Sequence, residues 1–293
     1  MSYNQEIITY SQDKSVKNGV FLKELAPQTL EEDILGLTHR DDYYVFILVL
    51  NGTFHINCEL QTHELQTRDL FLIKPYQIHT IEEYSEDFFG HFLSIQDFRI
   101  PDDLTYLLFN LPNTQQCIPL KTEACQTLLD TIHLLTKYET KQEEYTTEIT
   151  NGLFQAIIYK IGSLFKEKTR VPEVSAINQS NVITSKFKRL ITTQTHLRQP
   201  SYFADLLFIT PAHLNDCVKK TTGQTVSYWL KKSIIDEAKR LLYYTTKSVK
   251  EIAFELGYED HTYFSRLFKN TSNKRLYSSA VILLLLFTKA IIG

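Results

Sequence analysis

A repeat narrows the folds open to this chain more than any other feature. Residues 184–270 match themselves at an offset of 50, with Leu206 falling on Leu256, Phe208 on Tyr258, Leu214 on Phe264, Val218 on Phe268 and Lys219 on Lys269. Each copy reads as helix, tight turn, helix. In the second copy Ser248-Val249-Lys250-Glu251 is a capping box, because Ser248 and Glu251 can each satisfy an orphan N–H group at a helix start. Ile252, Ala253 and Leu256 form that helix's apolar stripe, and Gly257 stands where a helix end needs the left-handed region. Asp260 can cap the next helix, His261–Asn270, which turns Tyr263 or Phe264, Leu267 and Phe268 inward. In the first copy Thr210 is the N-cap and Pro211 the first helical residue.

Between the copies, Tyr228–Tyr244 is amphipathic, with Trp229 or Leu230, Ile234, Ala238, Leu241 and Leu242 on its inner face. One rigid helix here would fix the separation of the two units. A helix braced by its partner across a short turn is a shape that enters a major groove, and successive groove faces lie about 34 Å apart. Charge supports that reading. The net of −3 hides a split: residues 1–181 carry 14 Lys/Arg against 26 Asp/Glu, a net of −12, and residues 182–277 carry 16 against 8, a net of +8. Only the back half therefore suits a polyanion.

The front half has a different period. From Phe21 to Ile100 the chain reads as short strands. Tyr43–Leu50 is β-branched and aromatic, Asn51-Gly52 supplies a hairpin turn, and Thr53–Cys58 alternates with Phe54, Ile56 and Cys58 on one face. Further strands are expected at His63–Gln66, Asp69–Ile73, His79–Glu82 and Phe88–Ile95, which together suggest a sandwich or small barrel. From Glu123 to Lys168 the spacing becomes helical, with Leu128, Ile132 and Leu135 on one helix and Ile149, Leu153, Ile157, Ile161 and Leu164 on a second. The stripe Ile149, Leu153, Ile157 and Leu164 is expected to face a second copy. Val171–Asn181 has no periodicity and reads as a linker.

The stretch TPAHLNDCVKKTTGQTVSYWLKKSIIDEAKRLLYYTTKSVKEIAFELGYEDHTYFSRLFKN resembles the DNA-binding domain of the AraC/XylS family of bacterial regulators. Its most telling pieces are EAKRLL (Glu237–Leu242), SVKEIAFELGYED (Ser248–Asp260) and YFSRLFK (Tyr263–Lys269). The resemblance implies an α+β multidomain protein: a cupin-like β-barrel with a helical hairpin, then an all-α double helix-turn-helix domain. Its parts are expected at 1–120 (sensing), 121–170 (helical dimerisation segment), 171–181 (linker), 182–277 (DNA-binding) and 278–293 (an atypical apolar tail). The implied partners are double-stranded DNA, an unknown small-molecule effector, a second copy, and RNA polymerase as a further contact. No membrane partner is expected.

Residue by residue, the first recognition helix matches Thr210–Lys220, with Ala212, His213, Asn215, Asp216 and Lys219 towards the groove. Asp216 departs from the Arg often found at that family position; a carboxylate can accept from cytosine N4 but repels phosphate. In the second unit His261, Thr262, Ser265, Arg266 and Lys269 face the groove, with Arg266 suited to guanine and Lys269 to phosphate.

Histidines at 39, 55, 63, 79 and 91 fall in the strand region, and His39, His55 and His79 are the candidates for effector contact. Arg68–His79 resembles the second half of a cupin motif, but the HxH-plus-Glu ligand set is missing, so no metal and no cofactor is expected. No nucleophile elbow, P-loop or HExxH motif is present, and no enzyme is expected. Two other readings stay open: a cupin-type metalloenzyme with an accessory helical domain, and an interaction module that binds no nucleic acid. The polar N-terminus lacks a signal peptide, and Cys58, Cys117, Cys125 and Cys217 form no CxxC pair, which fits reduced thiols in the cytoplasm. After Asn270 the resemblance stops. Ala280–Phe287 is eight consecutive apolar residues, too short for a bilayer span of about 20 residues. A frame-shifted end or a divergent packing helix would each give that pattern.

Overall fold

A computed structural model of the chain describes residues 7–12, 19–30, 34–141, 143–168, 179–193 and 198–272. The chain divides into two compact units, Thr9–Ser175 and Ala176–Gly293, the latter grouped with the residues up to Ile8. The first unit holds the strands β1 (Ile8–Tyr10), β2 (Val20–Leu25), β3 (His39–Asp41), β4 (Tyr44–Asn51), β5 (Phe54–Cys58), β6 (Gln61–Leu65), β7 (Asp69–Ile73), β8 (Ile78–Tyr84), β9 (Phe89–Ile95) and β10 (Cys117–Pro119). They form two five-stranded sheets, ordered β1-β3-β8-β5-β6 and β10-β7-β4-β9-β2. Helices α1 (Asp102–Asn110), α2 (Thr122–Glu139) and α3 (Thr146–Lys168) complete the unit.

β4 shows why the run Tyr43–Leu50 is apolar without a break. Val45, Ile47 and Val49 pack with Phe54, Ile56 and Ile81 of the other sheet, whereas Tyr44, Phe46 and Leu48 pack with Leu108, Leu128 and Ile158 of the three helices. A strand covered on both faces has no polar side to alternate with. Full burial of each such side chain contributes roughly 1.5–3 kcal/mol.

Two expectations for this unit are corrected. Asn51-Gly52 does not close a hairpin, since β4 lies between β7 and β9 while β5 lies between β6 and β8. The dipeptide instead carries the chain from one sheet to the other. Gly52 has φ 70°, and a Cβ there would stand 2.2 Å from Ser85 Oγ. The two-residue hairpin is β5–β6, where Cys58 pairs with Gln61 and Glu59 and Leu60 take φ of 51° and 68°. Second, Ile157 and Leu164, expected to face another copy, are buried in the chain's own core beside Phe154, Ile161 and Phe165. α3 turns those residues into the core it shares with α1, α2 and the sheet. α1 and β10 fall between Ile100 and Glu123, where the sequence pattern named no element.

The second unit consists of α4 (Gln179–Thr193), α5 (Pro200–Leu206), α6 (Pro211–Thr222), α7 (Val226–Tyr244), α8 (Val249–Glu255) and α9 (His261–Ser272). The expected linker therefore ends before Gln179, and its remainder lies outside the described residues, as does the apolar tail Ser278–Gly293. Two cores form. Ile183, Phe187, Phe203, Leu214, Val218 and Val226 make one, and Ile234, Ala238, Leu241, Ile252, Leu256, Phe264 and Phe268 make the other. The long helix α7 enters both, so it joins the two helix pairs rigidly, as its amphipathic pattern implied. No helix among the described residues is long and apolar enough to cross a membrane.

The repeat itself needs a correction in register. After the turn the offset is 50, with Leu214 and Phe264 buried alike, and Val218 and Phe268 likewise. Before it the offset is 49. Ile209 N donates to Ala204 O at 3.0 Å just as Tyr258 N donates to Ala253 O at 2.9 Å, and Phe208 N to Asp205 O matches Gly257 N to Phe254 O. Leu207 thus corresponds to Leu256 and Phe208 to Gly257, not Leu206 to Leu256 and Phe208 to Tyr258. The second turn is longer by one residue.

Candidate functional site

The exposed face of each second helix follows from how the helix is anchored. In α9 the Asp260 carboxylate accepts from Thr262 N at 2.8 Å and Tyr263 N at 3.2 Å. Those backbone bonds hold its carboxyl below the usual carboxylate range. Phe264 and Phe268 are buried, and His261, Thr262, Ser265, Arg266 and Lys269 are left exposed by the helical spacing. In α6 the Thr210 hydroxyl accepts from His213 N at 3.2 Å, and Leu214, Cys217 and Val218 are buried. Ala212, His213, Asp216 and Lys219 are exposed. Asn215 differs: it is half-buried, and its Oδ1 accepts from Val226 N at 3.2 Å, which ties α6 to the start of α7.

Charge sorts in the same way. On α7, Lys232 and Lys239 pair with Asp236, and Arg240 pairs with Glu237 at 2.9 Å. Lys219, Arg266 and Lys269 form no ion pair within 4 Å among the described residues, although the charge of Arg266 helps hold the Asp260 carboxyl low. The cations on these two faces are therefore available to an anionic partner. Ahead of α6 the turn carries Phe208, 96% exposed at φ 55°. Sequence reasoning did not single it out, because the shifted register hid its equivalence to Gly257.

In the first unit the structure brings two of the three candidate histidines together. His39 and His79 are register partners across β3 and β8, and their ring centroids are 4.2 Å apart. Asp41, two residues after His39 and so on the same face of the strand, has Oδ2 3.5 Å from His79 Nε2. All three are buried. Burial pushes the Asp41 carboxyl up to about 6 against the opposing pull of His39. Burial takes His79 down to about 4, and burial followed by the charge of His79 lowers His39. His55 is not part of this group; it is only half-buried, and its Nδ1 lies 3.1 Å from Glu83 Oε1. Asp41 was missed, although the spacing His39-Arg40-Asp41 in a strand was a readable signal.

Comparisons with known proteins agree with this division. Residues 203–275 match a family model described as a helix-turn-helix domain, and residues 37–157 match one described as an AraC-like ligand-binding domain. The HTH-type transcriptional activator RhaR of Pectobacterium atrosepticum is 21% identical over 255 residues, 86% of this chain and 87% of that protein. The HTH-type transcriptional activator Btr of Bacillus subtilis is 23% identical over 273 residues, 86% of this chain but 47% of Btr, so the chain spans about half that relative's length. Among solved structures, ToxT from Vibrio cholerae aligns over 91% of this chain and 97% of its own at 15% identity, with a TM-score of 0.34, a superposition too loose to bear on function. With a ligand-binding family match on the β-rich unit and a helix-turn-helix match on the paired helices, this chain belongs to the AraC family of DNA-binding transcriptional regulators.

Proposed function

We propose that α6 and α9 read DNA in two major-groove segments and that occupancy of the first unit by a small molecule sets how the chain acts on transcription. The observation that carries this reading is the pair of exposed faces with unpaired cations, each anchored over a buried apolar face. Arg266 donates to guanine, Lys269 and Lys219 contact phosphate, and Ala212, His213, Asp216, His261, Thr262 and Ser265 line the same two faces. Asn215 acts at one remove, by setting α6 against α7. His39 and His79, with Asp41, supply the polar groups nearest the effector; His55 does not join them. The chain acts as a regulator and not as a catalyst, a reading its activator relatives favour. It extends to a cytoplasmic homodimer that contacts RNA polymerase.

The test is DNA binding by the full chain to sites recovered from genome-wide mapping of bound DNA. Arg266→Ala should cost roughly 1–3 kcal/mol on the cognate site and relax specificity at one position. Lys269→Ala should weaken all sequences about equally. Unchanged cognate affinity in Arg266→Ala would show that α9 does not read bases. Light scattering on the full chain checks the second copy.

A further inference from the structure

His39, Asp41 and His79 bring acceptor atoms together in a buried place. His39 Nδ1 lies 3.1 Å from the Leu37 carbonyl, and His79 Nδ1 lies 3.0 Å from the Gln77 carbonyl. A carbonyl oxygen can only accept, so in each neutral ring Nδ1 carries the proton and Nε2 keeps its lone pair. The ionised carboxylate of Asp41 is an acceptor as well. One candidate ligand atom from each of the three residues lies within 4.8 Å of the others. The 3.5 Å between His79 Nε2 and Asp41 Oδ2 is too long for a hydrogen bond of full strength. Tyr43 donates to Asp41 and so serves one of the carboxylate's lone pairs.

Lone pairs that converge away from water repel one another unless a positive charge lies between them. A proton, a metal ion or a water donating to two of these acceptors would relieve that repulsion. Two features favour the ion. An Nδ1–H bound to a backbone carbonyl is how ligating imidazoles are oriented, with Nε2 presented to the metal. All three side chains also stand on paired strands, two of them at register partners, so the ligand set is held by the sheet. Metal–nitrogen and metal–oxygen bonds of about 2.0–2.2 Å require the donors to draw together by roughly 1 Å, which side-chain rotation can supply.

We propose that His39, His79 and Asp41 bind one divalent first-row transition-metal ion through two imidazole nitrogens and a carboxylate, leaving its other positions to water or to an oxygen-bearing ligand. Imidazole suits zinc, iron, nickel and copper, whereas magnesium and calcium take oxygen ligands. The sequence offered no complete cupin ligand set, and this site needs none, because an aspartate two residues after His39 fills the third position. The site does not depend on the DNA-reading proposal: the ion binds whether or not α6 and α9 read bases.

The test uses the full chain, stripped with a chelator and titrated with Co²⁺, with visible absorption and bound stoichiometry as readouts and Zn²⁺ as competitor. One Co²⁺ per chain is expected, with d–d bands that Zn²⁺ abolishes. Asp41→Asn and His79→Gln should each weaken binding by at least about tenfold, while His63→Gln leaves it unchanged. Thermal unfolding of each variant confirms the fold; should His79→Gln not fold, Asp41→Asn and His39→Gln decide. Absence of Co²⁺ binding by the wild type, or equal affinity in all variants, overturns the proposal and leaves a shared proton or a bridging water at the site. DNA affinity measured in parallel separates the two readings, since its loss with the ion retained counts only against the proposed DNA contacts.

Discussion

Phe208 and Gly257 hold the same place in the two turns, and both take φ in the left-handed region, 55° and 88°. A β-carbon there costs about 1–2 kcal/mol, which glycine avoids at some expense in chain entropy. Phe208 buries almost nothing in return. Phe208→Gly should therefore raise the stability of the second unit by roughly 0.5–1 kcal/mol in denaturant unfolding, and Gly257→Ala should lower it by a similar amount. Equal stability in both variants would show that the turns tolerate either residue. A second residue-scale prediction concerns His91, which is buried with no hydrogen-bond partner for either ring nitrogen among the described residues. Burial lowers its pKa from 6.5, against a smaller upward pull from Glu24 and alongside a further lowering by His133. The unfolded chain then binds more protons, so this residue's share of stability is complete above pH 6.5 and is lost as pH falls through the folded value. His91→Phe should flatten the stability–pH curve below 6.5. The buried Asp41, with its raised pKa, contributes with the opposite sign and remains. A slope unchanged in His91→Phe would place the titration elsewhere.

At the scale of elements, local chemistry in the second unit was almost fully legible. The Ser248 hydroxyl accepts from Glu251 N at 3.3 Å, and Glu251 Oε2 accepts from Ser248 N at 2.7 Å, as the four-residue box implied. Removing that cap with Ser248→Ala should cost about 1 kcal/mol in unfolding free energy. It should also lower affinity for DNA more than Thr210→Ala does, if α9 carries more of the base reading; the reverse order would assign that task to α6. In the first unit the strand positions were legible, but their partners were not. Asn51-Gly52 has the φ preference of a hairpin turn, yet a turn dipeptide specifies only its own conformation. Which strands pair depends on edges formed by residues far along the chain, such as Phe89–Ile95 beside β4.

On the scale of the whole molecule, the split in charge has a measurable consequence. Binding to duplex DNA should fall steeply with salt as counterions are released. Residues 182–277 carry +8 and residues 1–181 carry −12, and the compact units divide close to that boundary, at Ser175. The salt slope should therefore be the same for the full chain and for residues 182–277, with the shorter piece binding at least as tightly. A steeper slope for the full chain would place phosphate contacts in the first unit.

The sequence by itself determined the helix pairs of the second unit, their caps, the inward faces of α7 and α9 and the alternation of β5. All of these are set within a few residues by backbone sterics, hydrogen-bond valence and the period of apolar side chains. Only the tertiary structure decided what those surfaces meet. It turned the stripe of α3 onto the sheet, drew Asn215 into the contact between α6 and α7, and revealed the extra residue in the second turn. It also set His39 and Asp41 against His79, 40 and 38 residues further along the chain. Such contacts depend on which buried faces find each other when the chain collapses, and no local spacing encodes that choice.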